Sequence, residues 1–167
     1  RNSLPLLGCD ARAGRTGIIV HSSDGLDEIS VEASTYVWEV YGEPLAINEY
    51  EISPADFGLG THALSTVLGG SAEERTTWFR DVLAGGSGPI RDFIVINAAA
   101  GLRAGGIAPT FLAAAEIVKA ALDSGAAQKV VDKYIALTHE VSAPSRAQTP
   151  GGTPVALPKP AQELKYT

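Results

Sequence analysis

The apolar residues of this chain change period once, near residue 70, and that change restricts the fold more than any other feature. Before it they come in short β-branched and aromatic runs; after it they recur at helical spacing. Gly17-Ile18-Ile19-Val20-His21 reads as a strand buried on both faces, as in a parallel sheet. Residues 29–31 read as a second short strand. Residues 35–41 and 45–52, separated by Gly42-Glu43-Pro44, read as a hairpin with one wet face, and Leu45, Ile47 and Ile52 are the apolar points of its second arm. Ser71-Ala72-Glu73-Glu74 then forms a capping box, followed by Trp78, Phe79, Val82 and Leu83 at helical spacing and a Gly85-Gly86 stop. Phe93-Ile94-Val95-Ile96 alone resembles a strand. The small residues Ala98-Ala99-Ala100-Gly101 after it make a closely packed helix the expectation. Thr110 caps a third helix with Phe111, Ala114, Ala115, Val118, Ala121 and Leu122 on its face, ending at Gly125. A fourth runs over residues 126–139, with Val130, Val131, Tyr134, Ile135 and Leu137 as its apolar side. Helices covering a mixed sheet with a hairpin make an α/β domain.

That domain occupies residues 17–140. Residues 1–16 show no period and read as irregular, with a short helix around residues 4–8. Residues 141–167 are proline-rich and read as a disordered tail. The 167 residues, 45% hydrophobic, suffice for one core. A net charge of −6 with no Lys/Arg cluster argues against nucleic-acid binding. No apolar run approaches the roughly 18 residues of a membrane span. Cys9 is the only cysteine, so no intrachain disulfide forms, and a reducing, cytoplasmic compartment is the simplest reading. The chain begins with Arg1 and has no methionine, which is the expectation for a segment of a longer protein.

The candidate for chemistry is the acidic turn Asp24-Gly25-Leu26-Asp27-Glu28, directly after the first strand. In open α/β sheets ligands sit off the carboxyl ends of the strands. Mg²⁺ takes one or two carboxylates, waters and substrate phosphate oxygens, which adjacent carboxylates can serve. The competing reading is a solvated Asp-Gly bend. His21, at the strand end beside the turn, is either a weak substrate contact or a hydrogen-bonded strand-end histidine. Gly69-Gly70-Ser71 reads as structural, because Glu73 and Glu74 in the first helical turn would repel an anion. His62, His139 and Cys9 have no partners visible in the sequence.

Read together, these residues resemble anthranilate phosphoribosyltransferase. The likeness runs in order from Ile18-Ile19-Val20-His21 and Asp24-Gly25-Leu26-Asp27-Glu28-Ile29-Ser30 through Pro54-Ala55-Asp56-Phe57-Gly58-Leu59 and Leu68-Gly69-Gly70. It continues through Gly88-Pro89, Arg91-Asp92 and Asn97-Ala98-Ala99 to Asp123-Ser124-Gly125. The resemblance implies the larger α/β domain of a two-domain phosphoribosyltransferase whose helical N-terminal domain is missing here. It implies Mg²⁺ held by Asp27 and Glu28, and transfer of phosphoribosyl from phosphoribosyl pyrophosphate to anthranilate in tryptophan biosynthesis. A homodimeric parent enzyme is also implied, with the isolated chain inactive because the phosphate-binding loop lies upstream. Ser22, where the family usually has glycine, and Arg75, where it has asparagine, depart from the pattern. A related pyrimidine nucleoside phosphorylase and a non-catalytic truncated domain are the alternatives.

Overall fold

The computed structural model describes residues 17–142, apart from 43 and 45. The expected irregular segment 1–16 and the tail beyond residue 142 lie outside the described residues. Three strands, β1 (Gly17–Ser22), β2 (Thr35–Tyr41) and β3 (Ala46–Ile52), precede two 3-10 turns at Pro54–Phe57 and Leu64–Thr66. Four helices follow: α1 (Ala72–Leu83), α2 (Pro89–Ala104), α3 (Phe111–Asp123) and α4 (Ala126–Ser142).

The sheet order is β1-β2-β3, and both pairings are antiparallel. The parallel surroundings expected for β1 are therefore absent among the described residues. Gly17 to Val20 are half-buried, with Ile18 and Val20 against the core, so this strand alternates instead of being buried on both faces. The hairpin arms pair from Thr35 with Ile52 to Tyr41 with Ala46. One of its faces is wet, as expected: Tyr36, Glu49 and Glu51 are exposed. Of the apolar points in β3, Ile52 is buried and Ile47 exposed. Their odd separation puts them on opposite faces, because side chains alternate along a strand. Tyr50, two residues before Ile52, takes the inward place.

The core lies between this sheet and the helices. Val37 and Ile52 meet Val95, Ile96 and Ala99 of α2, and Ala114, Ala115, Val118 and Leu122 of α3. Alanines on both helices let them pack closely. Phe57 is fully buried and lies with its ring 4.9 Å from that of Phe111. The helix ends follow the sequence signals. The Ser71 hydroxyl accepts from the Glu74 amide at 3.2 Å, and the Glu74 carboxylate accepts from the Ser71 amide at 2.7 Å. The box thus satisfies two amide donors at the start of α1, which supports the structural reading of Gly69-Gly70-Ser71. Thr110 caps α3 through the Ala113 amide. Among the described residues no helix is long and apolar enough to cross a membrane.

One buried ion pair ties the sheet to α2. Glu39 is only 6% exposed, lies 3.1 Å from Arg103 and accepts from the Tyr50 hydroxyl at 3.0 Å. Burial, with the Glu39 carboxylate beside it, pushes the Tyr50 hydroxyl up to about 12. A buried carboxylate that loses its partner is costly. Arg103→Met is therefore expected to lower unfolding stability by about 3 kcal/mol in urea titrations. A change within about 0.5 kcal/mol, the range of neutral surface substitutions, would contradict the assignment.

Candidate functional site

The acidic turn leaves β1 at Ser22, which is fully buried. Its amide donates to the Leu26 carbonyl at 3.0 Å, and its carbonyl accepts from the Gly25 amide at 3.1 Å, closing a tight bend. Gly25 sits at φ 97°, a backbone region that side chains disfavour. Inside this bend Asp24 is fully engaged. One carboxylate oxygen accepts from the Ser22 hydroxyl at 2.5 Å and faces the Leu26 amide; the other accepts from the Ser30 hydroxyl at 2.6 Å. Burial pushes the Asp24 carboxyl upward. The Ser22 and Ser30 hydroxyls, with the Leu26 and Asp24 amides, more than offset this and hold it below its ordinary 3.8. Ser22 thus supplies one of the two hydroxyls that lock the turn.

Residues 29–31, expected as a strand, are not one. Ile29 and Val31 are buried, and their backbone groups find partners outside any sheet. The Ile29 amide donates to Asn97 Oδ1 at 2.9 Å, and Asn97 Nδ2 donates to the Ile29 carbonyl at 3.1 Å. Only this orientation of the amide satisfies both groups. The second Asn97 proton goes to the Phe93 carbonyl at 3.1 Å. The Ser30 amide donates to the Thr35 hydroxyl, and the Ser30 hydroxyl accepts from the amides of Glu32 and Ala33. The Val31 carbonyl accepts from the His62 amide at 2.9 Å. His62, for which the sequence shows no partner, places Nε2 2.7 Å from an oxygen of Asp92 in the first turn of α2.

All three carboxylates of the turn are exposed, but only Asp24 is taken up by hydrogen bonds; Asp27 and Glu28 enter no ion pair among the described residues. His21 is exposed on β1, opposite Tyr36 in the ladder. Among the described residues no group of three or more His, Cys, Asp or Glu side chains converges as a metal cage. Two adjacent hard oxygen donors, free of internal cations, fit Mg²⁺, which keeps waters and substrate oxygens in its remaining positions.

Asn97, Ser30, Thr35 and His62 hold the segment after the turn, and no local pattern in the sequence marks them for it. For Asn97 a more general signal existed: one amide inside the apolar run from Phe93 to Ala100 must find buried partners.

Residues 11–128 match the glycosyl transferase family a/b domain. The chain belongs to this family. It is 41% identical over 126 residues to the anthranilate phosphoribosyltransferase of Hyphomonas neptunium, covering 75% of this chain and 36% of that protein. It is 40% identical over 126 residues to that of Rubrobacter xylanophilus, again covering 36% of the relative. The crystal structure of the Thermus thermophilus enzyme superposes with a TM-score of 0.70 at 29% identity, over 80% of this chain and 39% of that one. The Saccharomyces cerevisiae enzyme variant with Mg bound superposes at 0.67 with 25% identity, over 74% and 36%. The chain therefore spans somewhat over a third of the length of the relatives it matches, and shares their α/β fold over that span.

The lowered Asp24 carboxyl carries a pH signature. A depressed folded value contributes stability that is present above the unfolded value and lost as pH falls through the folded one. Wild-type stability is expected to drop as pH falls below about 4, with Asp24→Asn showing a flatter profile over that range. Denaturant titrations across pH 2.5 to 6 test this; parallel profiles for the two proteins would contradict it.

Proposed function

We propose that this chain forms the metal-binding part of an anthranilate phosphoribosyltransferase, with Asp27 and Glu28 holding Mg²⁺ beside the pyrophosphate of phosphoribosyl pyrophosphate. The observation that carries this reading is the division of labour in the turn. Asp24 is used up by internal hydrogen bonds, while the two exposed carboxylates after it have no partners among the described residues. A bend whose acids served only to form the turn would have no use for that second pair. The family, the named relatives and the neighbour solved with Mg bound support the substrate class.

Mg²⁺ when bound would neutralise charge on the pyrophosphate leaving group. The chain's own residues do the positioning. The serine-locked bend holds the pair outward, and Gly25 lets the backbone reverse within a few residues of the strand. His21, exposed just before the bend, would contact the substrate. The reaction rewards such placement more than a protein nucleophile, because the ribosyl carbon passes through an oxocarbenium-like state. The remaining parts of the reading are a phosphate-binding loop and an anthranilate pocket outside these residues, a homodimeric parent, a cytoplasmic location and no activity in this chain by itself.

The test is Mg²⁺-dependent formation of phosphoribosyl anthranilate by the protein carrying this segment joined to the N-terminal part that its relatives possess. Asp27→Ala/Glu28→Ala is expected to lower kcat/KM at least about 100-fold, since a bound metal supplies several kcal/mol. No activity in the joined protein, or full activity in the double variant, would overturn the proposal.

A further inference from the structure

The metal pair is a two-residue span pinned at both ends. On one side Leu26 is held by its carbonyl to the Ser22 amide and by its amide against Asp24. On the other, Ile29 is held by both its backbone groups to a single side chain, Asn97, 68 residues away in sequence. Between these anchors lie only Asp27 and Glu28, so the spacing of the anchors determines where the two carboxylates can go. The near anchor belongs to the turn itself. The far one belongs to α2.

From the same helix a second contact reaches the same segment. Asp92, one turn and a half before Asn97, pairs with His62, whose amide holds the Val31 carbonyl. The helix therefore grips residues 29–31 at two points, directly at Ile29 and through the connector at Val31. The grip replaces the strand ladder that this segment lacks. It is also stiffer than a water-filled alternative, because Ile29 and Val31 are each 1% exposed and have no solvent to exchange with.

We infer that Asn97 is a positioning residue for Asp27 and Glu28, and that the Asp92–His62 pair is its auxiliary brace. This rests on the proposed role of the two carboxylates. Asn97 touches neither metal nor substrate. It fixes the exit of the turn, so that both carboxylates are already in place when a cation arrives, as outer partners do for the ligands of a metal. Without it the span keeps only its Leu26 anchor, and the carboxylates must be ordered at the moment of binding. The brace through His62 is the weaker of the two, because its contact with Val31 is a main-chain bond that survives loss of the imidazole.

The experiment is isothermal titration, with Mg²⁺ and pyrophosphate, of the protein carrying this segment joined to the N-terminal part that its relatives possess. Wild type is compared with Asn97→Ala, His62→Ala, Asp27→Ala/Glu28→Ala, the combination of Asn97→Ala with that pair, and Arg103→Met. Asn97→Ala is expected to weaken binding about 10- to 100-fold, the range for loss of an outer partner, and His62→Ala less. In the Asp27→Ala/Glu28→Ala background, Asn97→Ala is expected to change nothing further. Arg103→Met, which destabilises the fold without touching the turn, serves as the structural control and is expected to bind like wild type. Should Asn97→Ala not fold, Asn97→Asp keeps the acceptor for the Ile29 amide, loses the donor to its carbonyl, and is judged by the same outcomes. Binding that is normal in the Asn97 variant, or reduced equally in Arg103→Met, would overturn the inference while leaving the metal pair intact. No binding by wild type, or no effect of Asp27→Ala/Glu28→Ala, would overturn the metal reading and this inference with it.

Discussion

A buried backbone that leaves a sheet must find its hydrogen bonds elsewhere, and residues 29–31 meet that requirement with two side chains and one main-chain amide. Asn97 serves both groups of Ile29, Thr35 the amide of Ser30, and the His62 amide the carbonyl of Val31. The arrangement lets the chain turn away from β1 without forming another strand. It also joins the sheet side of the molecule to α2, since Asn97 and Asp92 both stand on that helix. Glu39 and Arg103 make a second such tie near the other end of α2. The helix is thus fastened to the strands and their loops at both ends by polar contacts, with the apolar core between.

The same logic separates the three acids of the turn. A carboxylate that accepts two hydroxyls and faces a main-chain amide has little left to offer a cation. Asp24 is in that position, and its lowered carboxyl follows from it. Asp27 and Glu28 keep their oxygens for what lies outside. Composition makes the three look alike; their hydrogen bonds make one structural and leave the other two without partners among the described residues.

Much of the helical half was legible in the sequence. The Ser71–Glu74 box, the Thr110 cap and the glycines after α1, α2 and α3 mark ends by local chemistry, and local chemistry is what a sequence records directly. The run from Phe93 to Ile96 was the ambiguous case, and the alanines after it pointed correctly to a helix. The sheet was less legible, because strand direction depends on partners distant in the chain. A β-branched run such as Ile18-Ile19-Val20 looks the same whether its neighbour is parallel or antiparallel, and here the pairing is antiparallel. Ile29 and Val31 are apolar enough for a strand, and nothing local reveals that an asparagine 68 positions on takes the place of a ladder. The pairing of His62 with Asp92, 30 residues apart, was hidden for the same reason. The acidic turn was located by the sequence, and its narrowing to Asp27 and Glu28 came from family resemblance. The hydrogen bonds of Asp24 show that this carboxylate shapes the turn, and the role of the pair after it is the proposal made above.

Membership in the glycosyl transferase family places this α/β segment among proteins more than twice its length. The central claim is that its turn presents Asp27 and Glu28, and not Asp24, to a divalent cation. The most direct measurement is an anomalous difference map from crystals of the protein grown with Mn²⁺, as a stand-in for Mg²⁺, and pyrophosphate. The account predicts a peak within about 2.0–2.4 Å of carboxylate oxygens of Asp27 or Glu28, with the Ser22 and Ser30 bonds to Asp24 intact. A peak on Asp24 with those bonds broken, or no peak at the turn, would contradict it.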